Sequence, residues 1–333
     1  MRVAFFDTHS FERVYFERAN QTLGHDIVFL APRLDHRTAT LAQGCEAACC
    51  FVNDQLDATA LRVLSEQGVR IVALRCAGYN HVDLVAAAAL GLPVVRVPEY
   101  SPHAVAEHAV ALVLALNRKI HRAHNRVHEG NFALDGLVGF DLFQKCVGIV
   151  GTGRIGAVAA RIFSGFGCRV LAHDTHVDPT LVGLGIEYVD LDALYCNAEI
   201  VSLHVPLTPK TRHMIDARAL ALMKPGVMLV NTGRGALIDS QALIAGLKTG
   251  HVGFAGLDVY EEEEGIFFQD LSDQVLQDDV LARLLTFPNV LITAHQAFLT
   301  REALAAIAET TLQNLNAYIS GAQLQNQIRV DRN

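Results

Sequence analysis

Val147-Gly148-Ile149-Val150-Gly151-Thr152-Gly153-Arg154-Ile155-Gly156 is the stretch on which the reading of the fold turns. A short apolar run, Val147 to Val150, leads into three glycines spaced G-x-G-x-x-G, and an apolar helical segment, Ala157 to Phe163, follows at once. This spacing is weak evidence alone, but here it stands between a strand and a helix, where its chemistry requires it. Gly151 permits the tight turn, Gly153 lets backbone approach a pyrophosphate, and Gly156 allows the helix to pack closely on the strand. Arg154 and Ile155 open the helix, whose N–H groups and dipole favour an anion. The next strand ends at His173-Asp174, 18 residues past Gly156. A carboxylate there can accept from both ribose hydroxyls and would repel a 2′-phosphate. No arginine directly follows Asp174, so NAD is expected, with NADH preferred over NADPH.

Outward from this stretch the chain repeats one rhythm. Strand-like runs are Val147–Val150, Arg169–His173, Ile200–His204, Val227–Asn231, Phe254–Leu257 and Val290–Thr293, each ending in a polar or glycine-rich turn. An earlier series comprises Val3–Phe6, Ile27–Leu30, Ala47–Val52, Ile71–Leu74 and Val94–Val97. Helical segments separate the strands, the pattern of parallel sheets covered by helices. Ser101-Pro102 offers an N-cap and a first-turn proline for a long helix toward Arg126, and a last helix is expected from about Thr300 to Ser320. At 333 residues the length itself favours two domains.

Composition excludes several functions. There are 27 Lys+Arg against 35 Asp+Glu, a net charge of −8, so no basic surplus is available for nucleic acid. Charged residues make up 19% and hydrophobic residues 51%, which fits a large buried core. Eight acids fall between Glu261 and Ala282 with no Lys or Arg, and they account for the whole excess. That segment is expected to be a long exposed excursion pinned by Ile266, Phe267 and Phe268. No run of 18 apolar residues exists, so no membrane span is expected. Asp7, His9 and Glu12 do not read as a secretory leader. Seven cysteines without a C-x-x-C pair point to buried reduced thiols, a cytoplasmic location and no metal site.

Three strand ends carry the residues that hydride chemistry on a carbonyl needs. Asn231-Thr232-Gly233-Arg234-Gly235 holds an arginine between glycines, able to present its fork to a carboxylate. Asp258-Val259-Tyr260-Glu261-Glu262-Glu263 supplies acids, and Ala294-His295-Gln296-Ala297-Phe298 a histidine. Histidine, with an ordinary pKa of ~6.5, suits proton donation to a forming alkoxide near neutral pH. A neighbouring carboxylate would orient the ring. Singly, a loop arginine, one histidine of 15 or an acidic run is more often structural. Their coincidence downstream of a dinucleotide fingerprint gives them weight.

On these residues, together with Arg75-Cys76-Ala77-Gly78 and His204-Val205-Pro206-Leu207-Thr208, the chain resembles the NAD-dependent D-2-hydroxyacid dehydrogenase family along nearly its whole length. Within it the resemblance is strongest to the fermentative bacterial branch that makes D-lactate. It implies an α/β fold of two Rossmann-like or flavodoxin-like parallel-sheet domains, the coenzyme domain (102–299) inserted into a discontinuous substrate domain (1–101 and 300–333). It implies a cofactor site that includes His204, Val205, Pro206, Thr232, Gly233 and Asp258 beside the fingerprint. The implied reaction is reversible reduction of pyruvate by NADH. Arg234 would bind the carboxylate, His295 would act as acid and base, and Glu263 would support it. Backbone N–H groups of Ala77 and Gly78 would hold the carboxylate, and Tyr100 and Phe298 would line a small pocket for the methyl group. A homodimer or homotetramer is implied, with the helix from Pro102 a natural interface.

Two departures stand out. Glu264 follows Glu263 where many members have proline, and within four consecutive glutamates the assignment depends on counting five residues from Asp258. Gly233 replaces a common serine or alanine. Alternatives are a relative acting on a bulkier 2-keto acid, hydroxypyruvate or glyoxylate, and a non-catalytic NADH-sensing co-repressor or scaffold.

Overall fold

The early strand series forms one parallel sheet in the computed structural model, which describes residues 1–329. Its strands are β1 (Arg2–Phe5), β2 (Asp26–Phe29), β3 (Ala47–Cys50), β4 (Ile71–Leu74) and β5 (Val94–Val95), in the order β2-β1-β3-β4-β5. This is the flavodoxin-like order, which reverses direction between β1 and β3. β3 and β4 are buried at every position, as strands covered on both faces must be. The helix Arg301–Ile319 packs on the helix Ser10–Asn20 and on β4. It starts at a Thr300 cap on the Ala303 N–H and stops before Gly321 at φ +68°. Beyond it, Ile328 N–H donates to Val94 O, so the chain's two ends build one unit.

The later series forms a seven-stranded parallel sheet: β6 (Cys146–Val150), β7 (Arg169–His173), β8 (Glu187–Tyr188), β9 (Ile200–Leu203), β10 (Val227–Asn231), β11 (Val252–Leu257) and β12 (Val290–Ile292). Its order, β12-β11-β10-β9-β6-β7-β8, is the doubly wound dinucleotide-binding arrangement, with its switch point between β6 and β9. Side chains of β6 alternate between two cores. Cys146 and Val150 join the layer of Leu203, Leu229 and Leu257, while Val147 and Ile149 join that of Leu116, Phe163 and Met228. The chain thus divides into Pro102–Phe298 and a unit made of Met1–Ser101 with the residues from Leu299. Residues 330–333 of the expected substrate domain lie outside the described residues.

Two expectations, on the long helix and on the cysteines, need correction. The helix expected to run to Arg126 is two helices, Pro102–Arg118 and Ile120–His128, broken at Lys119 with φ +50°. Asn117 exchanges hydrogen bonds with Phe140 (2.7 and 2.8 Å) and the Lys119 ammonium donates to Val138 O, and these side chains fix the break. The two-residue edge strand β8 is too short to show in the sequence pattern. Six cysteines are buried, but Cys196 is exposed. The acidic excursion is largely exposed and pinned by the buried Phe267, as expected, and it is also tied at its base: Tyr260 OH donates to Asp278 (2.9 Å), and Asp278 caps the helix Asp279–Leu285.

Candidate active site

The fingerprint explains its own glycines. Gly151 sits at φ +91°, and a Cβ there would lie 2.8 Å from the His204 carbonyl carbon and from Val205 Cγ1. At Gly156 a Cβ would lie 1.9 Å from Gly151 O, so only glycine lets the helix Arg154–Gly165 seat on β6. At Gly153 a Cβ would meet nothing within 4 Å, and no side chain caps the helix there. A cradle closed on one side and open at Gly153 is what a pyrophosphate needs. Arg154 is exposed and Ile155 half-buried beside it, while Pro206 is exposed after β9. His204 bonds Ser202 Oγ (2.9 Å), and burial pushes its pKa down to about 4, so the ring adds no charge to the cradle. The Thr232 hydroxyl is buried without a hydrogen-bond partner, a polar group left for a ligand. These observations fit a dinucleotide.

Asp174, expected to face a ribose, is also held by its own chain. One carboxylate oxygen accepts from Thr152 N–H (2.6 Å) and Thr152 Oγ (3.2 Å), the other from His176 N–H (3.1 Å) and Thr175 Oγ (3.2 Å). Partial burial would raise its pKa, but these donors outweigh burial and hold it below the usual carboxylate range. Tyr188 OH in turn donates to Thr152 Oγ (2.8 Å), so the edge strand β8 buttresses the glycine turn. Sequence reasoning missed Tyr188, because nothing local marks it.

At the end of β10, Asn231 is wholly buried and its side chain staples the next turn. It accepts from Gly233 N–H (3.0 Å) and donates to Arg234 O (2.9 Å). Arg234 donates from Nη1 to Gly233 O (2.7 Å), and among the described residues no carboxylate pairs with its fork. Gly235 then passes so close to the other strand end that a Cβ would lie 2.0 Å from Tyr260 C and O and 2.3 Å from Glu261 N. That crossing brings the arginine turn against the glutamate run.

The geometry separates the four glutamates. Glu261 is held by His213, Arg212 (3.4 Å) and Ser240 Oγ (3.1 Å), while Glu262 and Glu264 are exposed. Glu263 accepts from Tyr260 N–H (3.2 Å) through one oxygen, and its other oxygen lies 2.7 Å from His295 Nδ1. The ring of Phe268 stands 5.8 Å from the His295 ring, a neighbour the sequence treated only as an anchor.

His295 itself follows β12 in a turn where Ala294 and His295 have φ +50° and +60°. Left-handed backbone costs a non-glycine residue about 1 kcal/mol or more, so something must hold it. Asp258 does. Its carbonyl accepts from His295 N–H, and its carboxylate from Gln296 N–H (2.9 Å), Ala297 N–H (2.9 Å) and Thr293 Oγ (2.6 Å). Expected as a cofactor contact, Asp258 is wholly buried and its carboxylate is occupied by the turn that carries the histidine. Burial would raise its pKa, but the nearby His108 ring, the Thr293 hydroxyl, the Ala297 N–H and the neighbouring His295 keep it low. Phe298 is buried just after this turn.

Ala77, Gly78 and Tyr100 belong to the first unit. There β4 leads into Arg75, which is buried between the Phe5 and Phe51 rings (4.2 and 4.7 Å) and paired with Glu12 (2.8 Å). Removing one member of such a pair costs about 3–5 kcal/mol, so Arg75 anchors the strand end. Arg96 donates to Ala77 O (2.7 Å), and among the described residues the N–H groups of Ala77 and Gly78 donate to nothing. Tyr100 is half-buried.

Comparison with known proteins gives the class. Residues 110–297 match the model of the D-isomer specific 2-hydroxyacid dehydrogenase NAD binding domain. The chain is 49% identical over 328 residues to the D-lactate dehydrogenase of Escherichia coli, covering 98% of this chain and 100% of that one. A solved structure of the pyruvate reductase of Chlamydomonas reinhardtii matches with a TM-score of 0.93 at 46% identity, over 98% of each chain. The NAD-complexed D-isomer specific 2-hydroxyacid dehydrogenase of Lactobacillus delbrueckii matches with a TM-score of 0.81 at 30% identity, over 99% and 100% of the two chains. The chain belongs to the D-isomer specific 2-hydroxyacid dehydrogenase family. It is an NAD-dependent oxidoreductase whose later sheet is the NAD-binding domain.

Proposed function

We propose that the protein reduces pyruvate reversibly to D-lactate, with His295 as proton donor and Arg234 as carboxylate ligand. The observation that carries this reading is the Glu263–His295 contact of 2.7 Å on a segment that the Arg234 turn crosses closely at Gly235, with no carboxylate on the arginine fork among the described residues. NADH, when bound, supplies the hydride. A carboxylate only accepts, so Glu263 requires a proton on His295 Nδ1 and leaves Nε2 to deliver its proton to the carbonyl oxygen as it becomes an alkoxide. Arg234 offers N–H groups in the planar geometry of a carboxylate. In the other unit, Ala77 and Gly78 carry two backbone N–H groups that donate to nothing among the described residues. Identity to the E. coli enzyme supports the substrate assignment.

The Phe268 ring near His295 favours a small substrate side chain, and Phe298 is the other aromatic of the same unit assigned to it. Phe268→Ala should raise kcat/KM for 2-ketobutyrate and phenylpyruvate relative to pyruvate by about tenfold, since removing a ring opens room worth 1–3 kcal/mol of discrimination. An unchanged ratio removes Phe268 from the pocket. The proposal as a whole is tested by initial rates on pyruvate, 2-ketobutyrate, phenylpyruvate, hydroxypyruvate and glyoxylate, with chiral analysis of the product. Pyruvate should give the highest kcat/KM and D-lactate the sole product; a higher value for any bulkier acid, or L-lactate, overturns it.

We assign the preference for NADH to Asp174. Asp174→Ala should narrow the NADH-to-NADPH ratio of kcat/KM by about tenfold, by ending repulsion of the 2′-phosphate. It should also weaken NADH, because the Thr152 and His176 N–H groups lose their acceptor. An unaltered ratio would release Asp174 from that role.

Self-association is assigned to the segment after Arg118. Ile120, Val127, Phe132, Leu134, Val138 and Phe143 are each more than half exposed there, an apolar display that a second copy would cover. Buried free thiols favour a reducing compartment, the cytoplasm. No helix among the described residues is long and apolar enough to cross a membrane, and the charge balance does not favour nucleic acid.

A further inference from the structure

We propose that His108 is a positioning residue for the proton-transfer histidine, acting through Thr293 and Asp258. The inference rests on the reading of His295 given above and deepens it.

His108 lies on the helix Pro102–Arg118, between Ala104 and Leu112 one turn to either side, both buried. A polar ring on an apolar helix face needs a partner, and this one is specific. Nε2 is 3.0 Å from Thr293 Oγ and 3.4 Å from Asp258 Oδ1. The approach is set by β11: a Cβ at Gly256 would lie 3.1 Å from Leu112 Cβ, so glycine lets the helix come down onto the strand. Asp258 is two residues further on, beneath His108.

The proton order in this chain is determined. Asp258 is a carboxylate and can only accept. Thr293 has one hydroxyl proton, and at 2.6 Å it belongs to Asp258 Oδ1. The Thr293 oxygen is therefore an acceptor toward His108, and Nε2 must carry a proton. His108 donates to Thr293, and Thr293 donates to Asp258. Asp258 then gathers the N–H groups of Gln296 and Ala297 on its carboxylate and that of His295 on its carbonyl. Three successive N–H groups clamp the left-handed turn. His108 is the outermost donor of the clamp, and its Nε2–H is what keeps Thr293 turned inward. Without it the Thr293 hydroxyl loses its other partner among the described residues, Asp258 loses a neighbouring donor, and the His295 ring is free to leave its setting against Glu263. A packing role would need only an apolar side chain at 108; this role needs a donor at the Nε2 position.

The distinguishing experiment compares His108→Leu, His108→Gln, Thr293→Val and the His108→Leu/Thr293→Val double variant. Readouts are the single-turnover rate of NADH oxidation by pyruvate, NADH affinity by fluorescence, and Tm. The leucine variant should be about tenfold slower in the single turnover, with NADH affinity within about twofold, because the defect lies in the setting of the proton donor. Glutamine places its amide N–H near the Nε2 position and should restore the rate to within about twofold. Thr293→Val should reproduce the leucine defect, and the double variant should be no slower than either single one, as members of one chain are not additive. A leucine variant with the wild-type rate overturns the proposal. So does a glutamine variant as slow as leucine, or losses that multiply in the double variant. His295→Ala in the same assays separates the two readings: an active His295→Ala overturns the proton-donor assignment itself, whereas an inactive one beside an unimpaired His108→Leu overturns only the role of His108.

Discussion

His295→Ala should lower kcat for pyruvate reduction by about three orders of magnitude, or about 4 kcal/mol of barrier, while NADH affinity stays within about twofold. The carbonyl oxygen gains a full negative charge as hydride arrives, and without a donor that charge must be met by Arg234 and water alone. The imidazole itself contacts Glu263 and the Phe268 ring. Its backbone N–H still bonds Asp258 in the alanine variant, so the turn survives and the loss is chemical. The contrast with Glu263→Gln sharpens the test. Glutamine can still accept from Nδ1–H, so that variant keeps part of the ring's setting and should lose less. Rates by NADH absorbance and binding by fluorescence check both. An alanine variant within tenfold of wild type would show that another group donates the proton.

Much of this arrangement was legible before any coordinates. Parallel sheets buried on both faces write themselves as apolar runs between helices, and the three glycines at 151, 153 and 156 have local reasons to be glycine. The strand ends at Arg234, Asp258 and His295 could be marked for the same reason, since ligands gather at the carboxyl ends of such strands. What stayed hidden depends on contacts between distant positions. His108 and Thr293 are 185 residues apart, and no window of sequence joins them. Four adjacent glutamates look alike until His213, Arg212 and Ser240 claim Glu261 and the imidazole claims Glu263. Lys119 carries no helix-breaking chemistry of its own; the helix stops because Asn117 and Lys119 bond the segment around Val138 and Phe140. The structural part played by Asp258 stayed hidden for a related reason: an acid at a strand end invites a ligand, and nothing local shows that its carboxylate also holds the N–H groups of Gln296 and Ala297.

Gly235→Ala should be as damaging as the loss of a group that touches substrate, although a methyl there reaches no substrate. The added Cβ would sit 2.0 Å from the carbonyl carbon and oxygen of Tyr260 and 2.3 Å from Glu261 N. All three are backbone atoms, so no rotamer change relieves the overlap and one of the two strand-end turns must move. If the Arg234 turn moves, it pulls against the Asn231 staple and swings the fork away. If the Tyr260–Glu261 segment moves, it drags Glu263 from His295, because Tyr260 N–H holds the Glu263 carboxylate. Either displacement is on the scale at which positioned catalysis loses about two orders of magnitude. The strain should also appear as about 3 kcal/mol of lost stability, at the upper end for overpacking. The expected signature is a kcat reduced about a hundredfold, a lower Tm, and NADH binding largely kept, since the glycine cradle at the end of β6 is not touched. Gly233→Ala is the internal control. A Cβ at Gly233 would meet Leu237 Cδ1 at 3.4 Å and no backbone closer than 3.6 Å, so alanine there should be tolerated within a few-fold. Equal losses at both positions would mean that the turn's flexibility matters rather than the close passage of the two chains, and an active Gly235→Ala would mean that the arginine and glutamate turns can separate without consequence for the proton donor.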